Sequence, residues 1–192
     1  MRLAFVALGA VLMATAMVQS AAAADIARLE WGGFVVEDDS SDGWKETKSQ
    51  SSDDGRSVTL TFEAMEAKAD GSTLEAASRI SGHYDIVQPG VDNFTRASVS
   101  LEGHIIKSSA GVAKLVVTVG TSEQVIEWPA GTAASEKFKR VLDFVLPGDG
   151  RLPSPLTVGL AAEVQKEAGG DAVYLSVATM AIAVENSKVA AR

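Results

Sequence analysis

The stretch RISGHYDIVQPGVDNFTRASVSLEGHIIKSSAGVAKLVVTV, residues 79–119, decides the fold, because alternation and turn chemistry agree over it for longer than anywhere else. Ile80, Gly82, Tyr84 and Ile86 alternate with Arg79, Ser81, His83 and Asp85, as in a strand with one buried and one wet face. Gln88-Pro89-Gly90 ends that run. Alternation resumes with Ala97, Val99, Leu101, Gly103 and Ile105 against Arg96, Ser98, Ser100, Glu102 and His104. Read as a hairpin, the two runs set Ile86 by Ala97, Tyr84 by Val99 and Gly82 by Leu101 on the core face. Arg79, Ser81, His83 and Asp85 then share one outer face with Ser98, Ser100, Glu102 and His104. A turn through Lys107–Gly111 leads to Val112–Val119, apolar at nearly every position. That run reads as a third antiparallel strand, central and covered on both faces.

Outward from this stretch, Val58, Leu60, Phe62 and Ala64 alternate with Ser57, Thr59, Thr61 and Glu63 in another half-buried strand. An earlier strand spans about Ala27 to Glu37, and Gln124 to Trp128 forms a short one closed by Pro129. Ser135–Leu146 and Leu156–Val164 fit either a strand or a short capped helix. The alternation of Leu156, Val158, Leu160, Ala162 and Val164, beside the poor helix formers Thr157, Val158 and Gly159, favours strand, and both segments are assigned so. Val173–Glu185 is a long closing strand, brought beside its predecessor by a hairpin through Glu167–Asp171. The expectation is an all-β antiparallel sandwich or jelly roll of eight or nine strands.

Met1-Arg2, the apolar run Leu3–Val18 and Ala22-Ala23-Ala24 have the order of a secretory signal cleaved before Asp25. The run falls short of the ~20 apolar residues that span a membrane. Residues 1–24 are thus expected to be a leader, 25–185 one domain and 186–192 a polar tail, in a bacterial protein exported to the periplasm or medium. The chain has no cysteine, hence no disulfide framework.

Cleavage leaves 168 residues with sixteen basic and twenty-five acidic side chains, a net charge of −9. That balance disfavours nucleic acid and anionic membrane surfaces, and is compatible with cations, glycans or protein partners. Eight of the acidic residues lie between Glu30 and Asp54 against Lys45 and Lys48. Within that region Asp38, Ser40 and Asp42, followed by Gly43, reproduce the start of a calcium loop. Ser49 stands where the bidentate glutamate belongs, so a solvated acidic turn is the competing reading. Trp44, in the same loop, is a candidate platform for stacking a sugar ring, against a loop tryptophan folded onto the sheet edge. Trp31 and Trp128 read as core or rim.

Arg79, His83, Asp85, Glu102 and His104 form the candidate polar recognition surface, with Asp85 placed to polarise His83. Solvated strand faces carry the same composition by default. The two histidines lie too far apart along the expected ladder to share a metal ion. A hydrolase would need His83 or His104 beside a serine or carboxylate in a pocket, and no Gly-x-Ser-x-Gly elbow or phosphate loop is present. The preferred class is a non-catalytic binding module, with a structural or protein-interaction component of the envelope as the alternative.

Ser78-Arg79, a strand through Ile86, Gln88-Pro89-Gly90 and a strand reaching Leu101-Glu102-Gly103 form an order that resembles small secreted β-sandwich proteins classed as a domain of unknown function. The likeness covers about Ser57 to Gly120. The cysteines typical of that family are absent, and the resemblance implies a fold and export but no activity.

Overall fold

Ten strands run through the residues described by the computed structural model, which are 28–39, 48–89, 94–146 and 151–186. They are β1 (Glu30–Asp39), β2 (Lys48–Ser51), β3 (Ser57–Ala69), β4 (Glu75–Val87), β5 (Phe94–Lys107), β6 (Val112–Val119), β7 (Ser122–Trp128), β8 (Ala134–Val145), β9 (Leu156–Gln165) and β10 (Val173–Asn186). No helix occurs among the described residues, so both ambiguous segments of the last third are strands. The expected leader and residues 187–192 of the tail lie outside the described residues.

Two five-stranded antiparallel sheets form, ordered β1-β4-β9-β6-β7 and β2-β3-β10-β5-β8. From β3 onward the chain changes sheet at every connection except the β6–β7 hairpin. Setting β1 and β2 aside leaves β4-β9-β6-β7 over β3-β10-β5-β8, the double Greek key of a jelly roll. The fold class expected from the sequence is therefore the one observed, enlarged by one strand on an edge of each sheet.

The expected pairing is not observed. β4 pairs with β1 and β9, while β5 pairs with β10 and β8 in the other sheet. β4 and β5 thus lie in opposite layers, and Ser108–Gly111 and Lys166–Ala172 are arches between the layers. β10 does not lie beside β9. Alternation specifies which face of a strand is dry, and a strand meets that demand whether its sequence neighbour lies beside it or across the ~10 Å core.

The dry faces themselves follow the alternation. Tyr84, Ala97, Val99, Leu101, Leu156 and Ala162 are fully buried, and the two layers share one core. On β3 the alternation breaks after Phe62 and resumes at Met65, across an irregularity against β10. β6 is interior but not doubly covered, because Val112, Lys114, Val116 and Thr118 stay half exposed. β-branched residues suit any strand face, so their density misled the reading of burial.

Tyr84 anchors the β1 end of the core, with Trp31 edge-on at 5.4 Å and Phe34 at 5.1 Å between ring centroids. Its hydroxyl lies 3.3 Å from Ser49 Oγ on β2, and burial pushes its phenol up to about 12. The unfolded phenol titrates near ~10. The native state therefore holds this proton more tightly, and the stability so conferred is complete below about pH 10 and drains away between 10 and 12. Phenolate absorbance is expected to show at least one of the two tyrosines still protonated at about pH 11 in the folded protein. Ionisation of both by that pH, with native circular dichroism retained, would contradict the burial.

Candidate functional site

The outer face of the sheet β1-β4-β9-β6-β7 carries a trough along β9. Register defines its rows from β4 through β9 to β6: Glu75–Gln165–Val112, Ala77–Glu163–Lys114, Arg79–Ala161–Val116 and Ser81–Gly159–Thr118. The middle strand presents Gly159 and Ala161, which rise no higher than a methyl group. Longer side chains stand on both sides, and over this low floor lies a hollow of about 330 Å³; a second, of about 500 Å³, adjoins it further along β9 beside Ala77, Val164 and Gln165. Both hollows are lined by Arg79, Lys114 and Glu163.

These three side chains hold one another. Arg79 Nη2 donates to Glu163 Oε1 at 2.9 Å, and Lys114 Nζ lies 3.7 Å from Glu163 Oε2. One carboxylate thus spans the trough and orients two cations, each of which keeps donors to spare. At the next row Gln165 Nε2 donates to Glu75 Oε1 at 2.9 Å. Two cations face three carboxylates across the two hollows, Glu75, Glu123 and Glu163, so the trough carries a formal charge of only −1 on a chain with formal charge −8.

His83 lies on the same face toward β1, opposite Val35. Its Nδ1 is 2.7 Å from Glu37 Oε1, so the carboxylate beside it comes from β1 rather than from Asp85. Asp85 is exposed further along β4. Glu102 and His104 lie on β5, on the outer face of the opposite sheet. There Glu102 accepts from Lys139 Nζ at 2.7 Å, and the His104 ring is 6.3 Å from that of Tyr174. The single polar surface expected from the sequence is therefore two surfaces on opposite sides of the sandwich. Arg79, His83 and Asp85 share one of them, and Glu102 and His104 the other. Two histidines on opposite faces cannot share an ion, and what separates them is the core rather than the expected hairpin ladder, which does not form.

Ser40, Asp42 and Trp44 lie outside the described residues, and Asp38 enters only through its backbone pairing with Ser81. Trp31 is half-buried, with Nε1 donating to the Gly55 carbonyl at 2.7 Å, and Trp128 is core, packed on Phe138 at 5.1 Å.

Lys114, Glu163 and Glu37 were not singled out by sequence reasoning. Lys114 and Glu163 each carried a signal: one charge on the outward parity of an otherwise apolar strand, VAKLVVTV in β6 and LTVGLAAEVQ in β9. An isolated charge there marks the wet side of an interior strand. Glu37 follows a β-bulge, which no local pattern announced.

The molecule is thus a two-layer jelly roll bearing an open trough of mixed charge on one sheet. No family model and no curated protein matches the chain. A structure of the Gx strain of infectious bursal disease virus is similar at 11% identity and a TM-score of 0.42. That match covers 70% of this chain, which spans 33% of the viral one. TmCBM61 in complex with beta-1,4-galactotriose is similar at 8% identity and a TM-score of 0.36, covering 83% of this chain and 90% of that one. The family 11 carbohydrate-binding module from Clostridium thermocellum, in complex with a mixed-linked tetrasaccharide, is similar at 13% identity and a TM-score of 0.22, covering 80% and 88%.

Proposed function

We propose that this chain is an exported, non-catalytic binding module whose ligand lies in the trough over β9. The observation that carries the reading is the low floor of Gly159 and Ala161 between Arg79 and Lys114, both held on Glu163. A floor of small side chains admits an extended chain. The flanking guanidinium, ammonium, carboxylate and amide groups offer donors and acceptors for hydroxyls. Near-neutrality within the trough favours an uncharged polar ligand over an ionic one, and a neutral glycan fits that chemistry. No aromatic side chain among the described residues lines either hollow, so stacking by them contributes little there. Three to four hydrogen bonds worth about 1 kcal/mol each give dissociation constants on the order of 1–10 mM.

The test is a panel of neutral oligosaccharides titrated by NMR against protein purified from expression of the full chain, with and without millimolar calcium. Ala161→Trp fills the floor and is expected to abolish binding with the melting temperature unchanged. Arg79→Ala is expected to weaken binding about 5–20-fold, the loss of one or two charge-assisted hydrogen bonds. Binding that survives both substitutions but is lost in Trp44→Ala, or that needs calcium and fails in Asp42→Ala, would move the site to the acidic loop. A panel with no ligand would remove the glycan reading.

A further inference from the structure

The four edge strands differ in how they resist pairing with another chain. β1 is interrupted twice in register, β2 is four exposed polar residues, and β7 turns Glu123 and Glu127 outward. β8 is different. It runs unbroken against β5 from Lys107↔Ala134 to Arg96↔Val145. Val145 and Val141, 75% and 61% exposed, are the most exposed large apolar side chains among the described residues.

The direction of the free backbone groups can be read from their present partners. The Leu146 N–H donates to Thr95 on the β5 side. The Asp143 carbonyl, by contrast, accepts from the Gln124 side chain of β7, and the Lys139 carbonyl from the Arg140 guanidinium at 3.2 Å. The odd-numbered residues, Lys137 to Val145, therefore turn their N–H and C=O away from β5 and leave a ladder to be filled. Side chains, not backbone, cover it at two points.

We propose that a second copy of this chain fills that ladder, β8 against β8 antiparallel, with Val141 on the twofold axis. Charge selects the register. With Val141 on the axis, Lys139 stands opposite Asp143 of the second copy, twice by symmetry, and no like charges face each other. Each such pair adds a carboxylate to the ion pair Lys139 already makes with Glu102. Moving the axis to Arg140 opposes two guanidinium groups, and moving it to Lys139 opposes two ammonium groups. Moving it to Leu142 sets Asp143 against Val141 and pairs no charges. Val141 meets its own copy, and Val145 covers the stem of Lys137, so the exposed apolar surface is buried in the same register. The sheet then runs through ten strands, and the troughs on the other sheets stay open.

Sedimentation velocity of the purified protein from about 1 to 100 μM is expected to show reversible dimerisation. Asp143→Lys and Lys139→Asp each set like charges across the axis and are expected to raise the dissociation constant at least about tenfold. The double variant, with both charges exchanged, is expected to return within about threefold of the parent. Val141→Lys, an exposed position at which the fold is undisturbed, is expected to leave monomer throughout. Circular dichroism and melting temperature of every variant should match the parent. A parent that stays monomeric at 100 μM, or a dimer indifferent to Val141→Lys, overturns the proposal. Single variants that dissociate without rescue in the double variant overturn the register and with it the pairing.

Discussion

Lys107→Met is expected to lower the melting temperature by about 6–12 °C, the equivalent of about 3 kcal/mol in a domain of this size. The side chain is 4% exposed, and its ammonium is enclosed by main-chain oxygens. Nζ donates to the carbonyls of Pro129 at 2.8 Å, Gly111 at 3.1 Å and Thr132, with Ser108 at 3.4 Å. These belong to the β5–β6 arch and the β7–β8 connection, so one cation ties together two loops that join the sheets. Methionine keeps the stem and its packing, and removes only the donors. The stranded carbonyls then cost about 1 kcal/mol or more each, softened where water reaches them. Burial pulls the Lys107 amine below its ordinary value. The unfolded chain consequently binds more protons in the alkaline window that ends near ~10.5, and there the parent gains stability as pH rises. The deficit of the methionine variant should widen in urea melts as the pH rises toward ~10.5. A variant within 2 °C of the parent would show that the carbonyls need no cation.

What the sequence revealed, and what it hid, divides along a physical line. Alternation reports the dry face of each strand, and the inward sets on β4, β5 and β9 agree with it, Tyr84 and Leu160 among them. It carries no information on which layer a strand joins. In a jelly roll nearly every connection crosses the core, so the strands that turn chemistry at Gln88-Pro89-Gly90 suggests as a hairpin lie in opposite sheets. A tight hairpin has its own marker, and the β6–β7 turn shows it, with Gly120 at φ 59°.

The trough was legible to the same depth. Arg79 and His83 read correctly as outward side chains of β4. Their partners could not be read, because Glu163 is 84 residues from Arg79 and Glu37 is 46 residues from His83. Only the crossover order β4-β9-β6 brings Lys114 and Glu163 to the same row. The splitting of Glu102 and His104 from Arg79 follows from the same crossover. Assigning β4 and β5 to one sheet merged two surfaces that the core separates.

Gly103 is the position where alternation most misstates the requirement, and its substitution has the steepest expected cost. In sequence it is one more inward residue between Leu101 and Ile105. In space a Cβ at this position falls on the Ser176 carbonyl oxygen of β10 and 2.5 Å from Phe138 Cζ of β8. Phe138 is buried against Trp128, and the carbonyl belongs to the backbone of a central strand, so neither neighbour can give way cheaply. Gly103→Ala is expected to cost about 2–3 kcal/mol, and Gly103→Val to leave no folded protein against a total stability of about 5–15 kcal/mol. Adding Phe138→Ala relieves one obstacle and leaves the other, so the pair Gly103→Ala/Phe138→Ala should melt no higher than Gly103→Ala alone. Gly159→Ala supplies the contrast. Its Cβ would meet Thr118 Cβ at 3.4 Å, an ordinary contact, and the smaller entropy of the unfolded alanine chain should leave the melting temperature unchanged or slightly raised. If Gly103→Ala melted with the parent, the β10 backbone could not lie where the Val177↔Gly103 register puts it. The difference between Gly103, an inward glycine closed in by β10 and β8, and Gly159, an outward one in the trough, thus measures how closely the β10 backbone approaches β5.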